Sequence, residues 1–188
     1  MINPGRLLRV LSSWLLAVGL VSAVGSTQVL GDAKPLVNTP VYYAPAKSYF
    51  ALVDFRGTGH FRNWIDAARY AANQSYKGTR GHLAVIDSPE LHEFLRKTFR
   101  PRNPTWIGLR YWCTYGKSQW ITGATLRNDE FAIWNRPWDL SGRGPNQKCP
   151  DNYLAIYYTP VDQGFRWAAQ SANKNWKFYF VQYPTGQE

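Results

Sequence analysis

His92-Glu93-Phe94-Leu95-Arg96 begins like the helix of a zinc protease. That chemistry needs two imidazoles four residues apart on one helical face to hold the metal. Arg96 stands where the second histidine must be, so the pair is broken. The chain has 3 histidines; of the others, His60 lies apart and His82 reads as structural, just before a strand. No Gly-x-Ser-x-Gly elbow supplies a nucleophile. Asp139 and Asp151 are the candidate carboxylate pair, and loop carboxylates are usually solvated. The sequence therefore reads as a binder and not as an enzyme.

Binding chemistry is better supplied. Trp112, Tyr115, Trp138, Arg143, Asn146 and Asp151 lie in or beside Pro/Gly-rich loop sequence. Loops of that kind run over the surface and carry function. Aromatic faces can hold a sugar ring while Arg, Asn and Asp supply directed hydrogen bonds. Trp64, Trp106, Trp120 and Trp167 read as core; for Trp112, Tyr115 and Trp138, core packing and ligand contact both stay open. Cys113 and Cys149 are the 2 cysteines. In an exported chain an even count favours a disulfide. The bond would be worth about 3–4 kcal/mol by loop-closure entropy. Two free thiols are the alternative, and no Cys-x-x-Cys metal spacing occurs.

The elements that must position these residues can be read from caps and periodicity. Tyr49–Val53 is aromatic and aliphatic, as a strand requires. Asn63 offers a helix cap, with Trp64, Ala67, Ala68 and Ala71 on one face. His82–Ile86 is a short strand. Asp87-Ser88-Pro89-Glu90 starts a second helix, with Leu91, Phe94, Leu95 and Phe99 as its buried face and Pro101 ending it. From Thr105 the pattern turns to short β-prone segments at 106–109, 118–121, 153–158, 165–168 and 176–183. A long irregular stretch lies between Trp134 and Asn152, and loops of that length are usually functional. Strand, helix, strand, helix, then many strands predicts an α+β domain with a long inserted loop.

The 188 residues suffice for one domain. A hydrophobic content of 45% against 18% charged predicts a folded core. Residues 1–25 read as a secretory signal peptide: Arg6 and Arg9, an apolar run from Val10 to Val24, then Ala23 and Gly25 before Ser26. An uncleaved anchor is the alternative. Residues 26–48, with Pro35, Pro40 and Pro45, read as an extended arm; the domain spans 49–184 and residues 185–188 form a tail. The expected product is secreted, extracellular or periplasmic, with no transmembrane segment in the mature chain. Removing Arg6 and Arg9 with the leader lowers the formal charge from +10 to +8. A basic surface admits acidic partners, although the charge is dispersed and reads first as solvated. No nucleic-acid motif is present, so no nucleic-acid partner is expected.

In order and register, several segments resemble the C-type lectin-like domain. Gly81-His82-Leu83-Ala84-Val85-Ile86 resembles its segment before the second helix, and Trp106-Ile107-Gly108-Leu109 matches its core motif. Trp120 with Gly123, Trp134, and Phe180-Val181-Gln182-Tyr183-Pro184 fit later elements, so the likeness runs from Tyr49 to Pro184. The resemblance implies two helices packed on short antiparallel sheets. It also implies two disulfides, whose four places are taken here by Ala71, Val181, Tyr153 and Ala172. Calcium-binding members carry Glu-Pro-Asn in the long loop and Asn-Asp after a tryptophan. Here those segments read Gly144-Pro145-Asn146 and Trp167-Ala168-Ala169. Calcium needs 6–8 oxygen ligands, and Asn146 with Asp151 alone would hold it poorly. The expectation is a lectin-like binding protein without a cofactor, calcium included. Its ligand is a carbohydrate or, alternatively, an extracellular protein in a surface-adhesion role; sugar comes first by family analogy.

Overall fold

The computed structural model describes residues 37–55, 62–135, 149, 151–161 and 164–188. The segment expected to be a leader, residues 1–25, and most of the expected long loop lie outside the described residues.

Both helices form where local chemistry caps them. The first, α1 (Trp64–Asn73), begins at Asn63, whose side chain accepts the Asp66 backbone N–H at 2.9 Å. It buries Trp64, Ala67 and Ala71. The second, α2 (Pro89–Phe99), is capped by Ser88, whose Oγ accepts the Leu91 N–H at 3.2 Å. It stops at Arg100, which turns left-handed at φ 46°. The expected buried face of α2 is right at Leu91, Leu95 and Phe99 but shifts at its edge. His92 is buried, while Phe94 is half-buried against Tyr43 with ring centroids 4.7 Å apart. Tyr43 supplies the partner that Phe94 needs, and Tyr158 supplies one for the imidazole.

The strands are β1 (Val41–Tyr43), β2 (Ser48–Asp54), β3 (Ser75–Tyr76), β4 (Thr79–Arg80), β5 (His82–Leu83) and β6 (Thr105–Trp112). They continue with β7 (Lys117–Trp120), β8 (Thr125–Leu126), β9 (Tyr153–Val161), β10 (Gly164–Ser171) and β11 (Phe178–Tyr183). One sheet runs β1-β2-β11-β6-β7-β8, with β9 beside β6, β10 beside β9 and β5 beside β11. Its pairs are antiparallel except β11 with β6, which is parallel at Phe178↔Thr105. The sheet starts earlier in the chain than the strand read at Tyr49–Val53. Val41–Tyr43, placed in the arm by its flanking prolines, pairs with β2 from Val41↔Phe50 to Tyr43↔Ser48. A 3-10 turn at Ala44–Ala46 closes that hairpin.

Alternation along the central strands gives the sheet two buried faces. Phe50, Leu52, Ile107, Leu109, Phe178 and Phe180 join the α2 residues Leu91, Leu95 and Phe99 in one core. Tyr49, Ala51, Trp106, Tyr179 and Val181 join Trp64, Ala67 and Ala71 of α1 in the other. The two helices thus cover opposite faces, and β6, between β11, β7 and β9, is the strand that reaches the site.

Candidate functional site

Beyond Leu109, β6 carries Arg110 and Trp112 on one face, because side chains two apart on a strand point the same way. On one side Arg110 pairs with Gln119 and Trp112 with Lys117; on the other, Ala155 and Tyr153 are their partners. The Arg110 guanidinium lies 4.5 Å from the Trp112 ring centroid, 5.7 Å from Trp64 and 5.8 Å from Tyr153. The Trp112 and Tyr153 rings are 5.2 Å apart. Trp112 Nε1 donates to Gln119 Oε1 at 3.0 Å, and Gln119 Nε2 donates to the Gly123 carbonyl at 2.9 Å. These bonds fix the indole edge-on to β7. Burial pushes the Tyr153 hydroxyl pKa up; Arg110 opposes the shift and Asp151 reinforces it.

Asp151 lies just before β9. Its Oδ2 accepts from Asn173 Nδ2 at 2.9 Å and from Ser171 Oγ at 3.3 Å. The Cys113 N–H donates to the Asn152 carbonyl at 3.1 Å. Cys113 is disulfide-bonded to Cys149, with the Cα atoms 6.4 Å apart. The crosslink therefore ties the chain entering β9 to the end of β6. Tyr115, in the turn between β6 and β7, is 71% exposed.

Of the residues expected at a site, Trp112 and Asp151 come together with the two cysteines around the start of β9, and Tyr115 stands on the adjoining turn. Trp138, Arg143 and Asn146 lie outside the described residues. Arg110, Gln119 and Tyr153 escaped the sequence reading. The strand read at 106–109 stops short of Arg110, and Tyr153 reads as the start of a β-prone segment and as a cysteine replacement.

The tryptophans expected in the core are there. Trp167 is fully buried, with Trp134 5.4 Å, Trp120 5.7 Å and Phe131 5.8 Å away between ring centroids. Ala168 and Ala169 follow it in β10 and face Tyr157 and Ile156 across the hairpin. Where calcium-binding members place two oxygen-bearing side chains, this chain has two methyls. Asp151 Oδ2 is already engaged by two donors. Among the described residues no three His, Cys, Asp or Glu group together to hold a metal. The described donors alone fall short of the 6–8 oxygen ligands that calcium takes.

The family model described as the lectin C-type domain matches residues 62–181. No curated protein matches the chain. Solved structures of similar fold include the cow C-type carbohydrate-recognition domain of CD23, crystallised in the presence of a GlcNAc2Man3 oligosaccharide. It is 19% identical over 80% of this chain and 96% of that one, with a TM-score of 0.54. The C-type lectin domain of murine dendritic cell inhibitory receptor 2, in complex with N-glycan, is 14% identical over 77% and 95%, with a TM-score of 0.57. Human lithostathine is 14% identical over 78% and 88%, also with a TM-score of 0.57.

Proposed function

The chain belongs to the C-type lectin domain family, and on that premise we propose that it is an exported carbohydrate-binding protein that works without calcium. Domains of this family are binding modules, and no catalytic constellation stands among the described residues. The observation that carries the sugar reading is the aromatic edge at the end of β6. Trp112 and Tyr153 stand side by side next to exposed Tyr115, with Asp151 on the same edge. Aromatic faces flanked by fixed polar groups suit the mixed apolar and hydroxyl surface of a saccharide. The proposed face also takes in Trp138, Arg143 and Asn146 of the long loop.

Ala168 and Ala169, together with the two donors already on Asp151 Oδ2, support the calcium-independent reading. Export is supported by the signal-peptide pattern read at residues 1–25 and by the Cys113–Cys149 disulfide, a bond that persists in oxidising compartments. Among the described residues no helix is long and apolar enough to cross a membrane.

A glycan array probed with the purified chain, with calcium and with chelator, tests the proposal. Equal, saturable binding to a defined sugar class in both conditions is expected. Binding lost in chelator would overturn calcium independence. No binding in either condition would overturn the sugar reading and turn the search to extracellular protein partners.

A further inference from the structure

Among the described residues, Arg110 is a half-buried cation at this site with no ion-pair partner. Its guanidinium is walled by Trp112, Trp64 and Tyr153. Its Nε is buried with no hydrogen-bond acceptor, and among the described residues no carboxylate stands within ion-pair distance of it. Arg110 as a whole is half-buried. Asp151, the acid on this edge, spends its Oδ2 on Asn173 and Ser171. Lys117, directly across from Trp112, adds a second positive charge to the same strand face.

A half-buried guanidinium lacking an acceptor is costly, and cation–π stacking offsets that cost only in part. An anion entering from solvent would supply a partner for this guanidinium. The guanidinium fork matches a carboxylate or a sulfate through two parallel hydrogen bonds. The rings beside it offer a surface for the apolar face of a pyranose.

We propose that Arg110 anchors the acid group of an anionic sugar, a uronate or a sulfated hexose, while the ring of that sugar packs against Trp112 and Tyr153. This deepens the carbohydrate reading above and rests on it for the sugar part alone.

The test is a titration of the full chain with glucose, glucuronate, glucose 6-sulfate and acetate, following the Trp112 indole N–H by NMR. Glucuronate or glucose 6-sulfate is expected to bind saturably and about tenfold or more tighter than glucose, the scale of a charge-assisted hydrogen bond. Whichever acid binds tighter identifies the source of the charge. Arg110→Gln should remove that advantage. Lys97→Gln, which deletes the same charge at a side chain 71% exposed on α2, should change affinity less than about twofold. Arg110→Lys keeps the charge and the stem, so it reports on the site even where the glutamine variant folds poorly; it should bind more weakly than the parent.

Equal affinity for glucose and both acids would overturn the proposal and leave the sugar reading standing. Equal effects of Arg110→Gln and Lys97→Gln would overturn it as well, reducing the acid preference to the general positive charge. Acetate binding as tightly as glucuronate would keep Arg110 as an anion site and overturn the sugar part.

Discussion

Gly108→Ala should unfold this domain more readily than any glycine substitution made in open space. A Cβ at Gly108 would meet the Leu83 carbonyl oxygen at 2.6 Å, the Ala84 carbonyl oxygen at 3.0 Å and Ile121 Cγ2 at 3.0 Å. An ordinary carbon–oxygen contact is about 3.3 Å or longer. Two of the three obstacles are backbone and cannot rotate away. They are fixed by the Val181↔Leu83 pairing and by the bond from Ala84 N to the Phe180 carbonyl at 2.9 Å. Separating the segments also stretches Gly108 N to Ala84 O, now 2.8 Å, and Ile121 N to Gly108 O, now 2.6 Å. Overpacking and the two strained hydrogen bonds together cost about 3–5 kcal/mol.

Gly123→Ala is the control. Nothing lies within 4 Å of its missing Cβ, but its φ is +96°. A side chain there costs about 1–2 kcal/mol through backbone strain alone. Urea unfolding followed by tryptophan fluorescence gives both values. A Gly108→Ala loss below about 1 kcal/mol, or a larger loss at Gly123, would refute the close-approach reasoning. The result also bears on the site. The β6–β9 register shifts between Trp106 and Arg110, so Gly108 sits where β6 is aligned to deliver Arg110 and Trp112.

Replacing both Cys113 and Cys149 by alanine should lower stability by about 4 kcal/mol, the loop-closure term for a sequence separation of 36, read as a shift in the urea midpoint; an unchanged midpoint under non-reducing conditions would count against the crosslink. Burial holds the His92 pKa below its ordinary 6.5, a shift that Glu93 opposes and that Arg96 and Arg166 assist. The unfolded chain then binds a proton that the folded one refuses, so stability is full above pH 6.5 and falls on acidification below it. Glu93, pulled down to about 2 chiefly by its hydrogen bond to Arg96, loses its contribution only below its usual 4.5, which keeps the two windows apart. His92→Phe should flatten the slope between pH 7.5 and 5, and an unchanged slope would assign it to another group. Trp112→Ala should weaken saccharide binding about tenfold or more while leaving a cooperative fold. Trp120→Ala, emptying a core site only 3% exposed, should be lost to unfolding instead.

The parts legible in the sequence are those whose cause is local. Asn63 and Ser88 cap the helices they precede because a short side-chain oxygen reaches the next turn from there and nowhere else. Trp106-Ile107-Gly108-Leu109 reads as a central strand because it is apolar on both faces, and both faces are covered. What escaped depends on partners far away in the chain. Val41–Tyr43 carries no strand signal strong enough to outweigh its flanking prolines; it becomes β1 because the edge of β2 lies open beside it. Phe94 sits half-buried at the rim of the core, against Tyr43, Phe50 and Phe99. His92 enters it because the Tyr158 hydroxyl, 66 residues on, lies 2.7 Å from Nδ1. At the site, Arg110 gains its setting only when β9 and α1 place Tyr153 and Trp64 around it.

The same long-range logic explains how the domain stands without the two crosslinks its family resemblance implies. Ala71 and Val181, at two of the four positions, are fully buried and both border Gly81: a Cβ there would meet Val181 Cγ1 at 2.7 Å and the Ala71 carbonyl at 2.9 Å. Helix α1 and strand β11 therefore close on a bare glycine backbone, and van der Waals contact occupies the space a sulfur bridge would fill. At the other two positions the Leu154↔Ser171 pairing brings Tyr153 and Ala172 side by side. Ala172 is buried, and its carbonyl accepts the Trp64 N–H at 3.1 Å. The Tyr153 ring packs 5.9 Å from Trp64. Replacing a cysteine by tyrosine there does more than fill space, because it puts an aromatic face beside Arg110 and Trp112. The chain entering β9 is then held by Cys113–Cys149 from the β6 side. Moving the crosslink out of the core and onto the site edge is what leaves room for that aromatic wall.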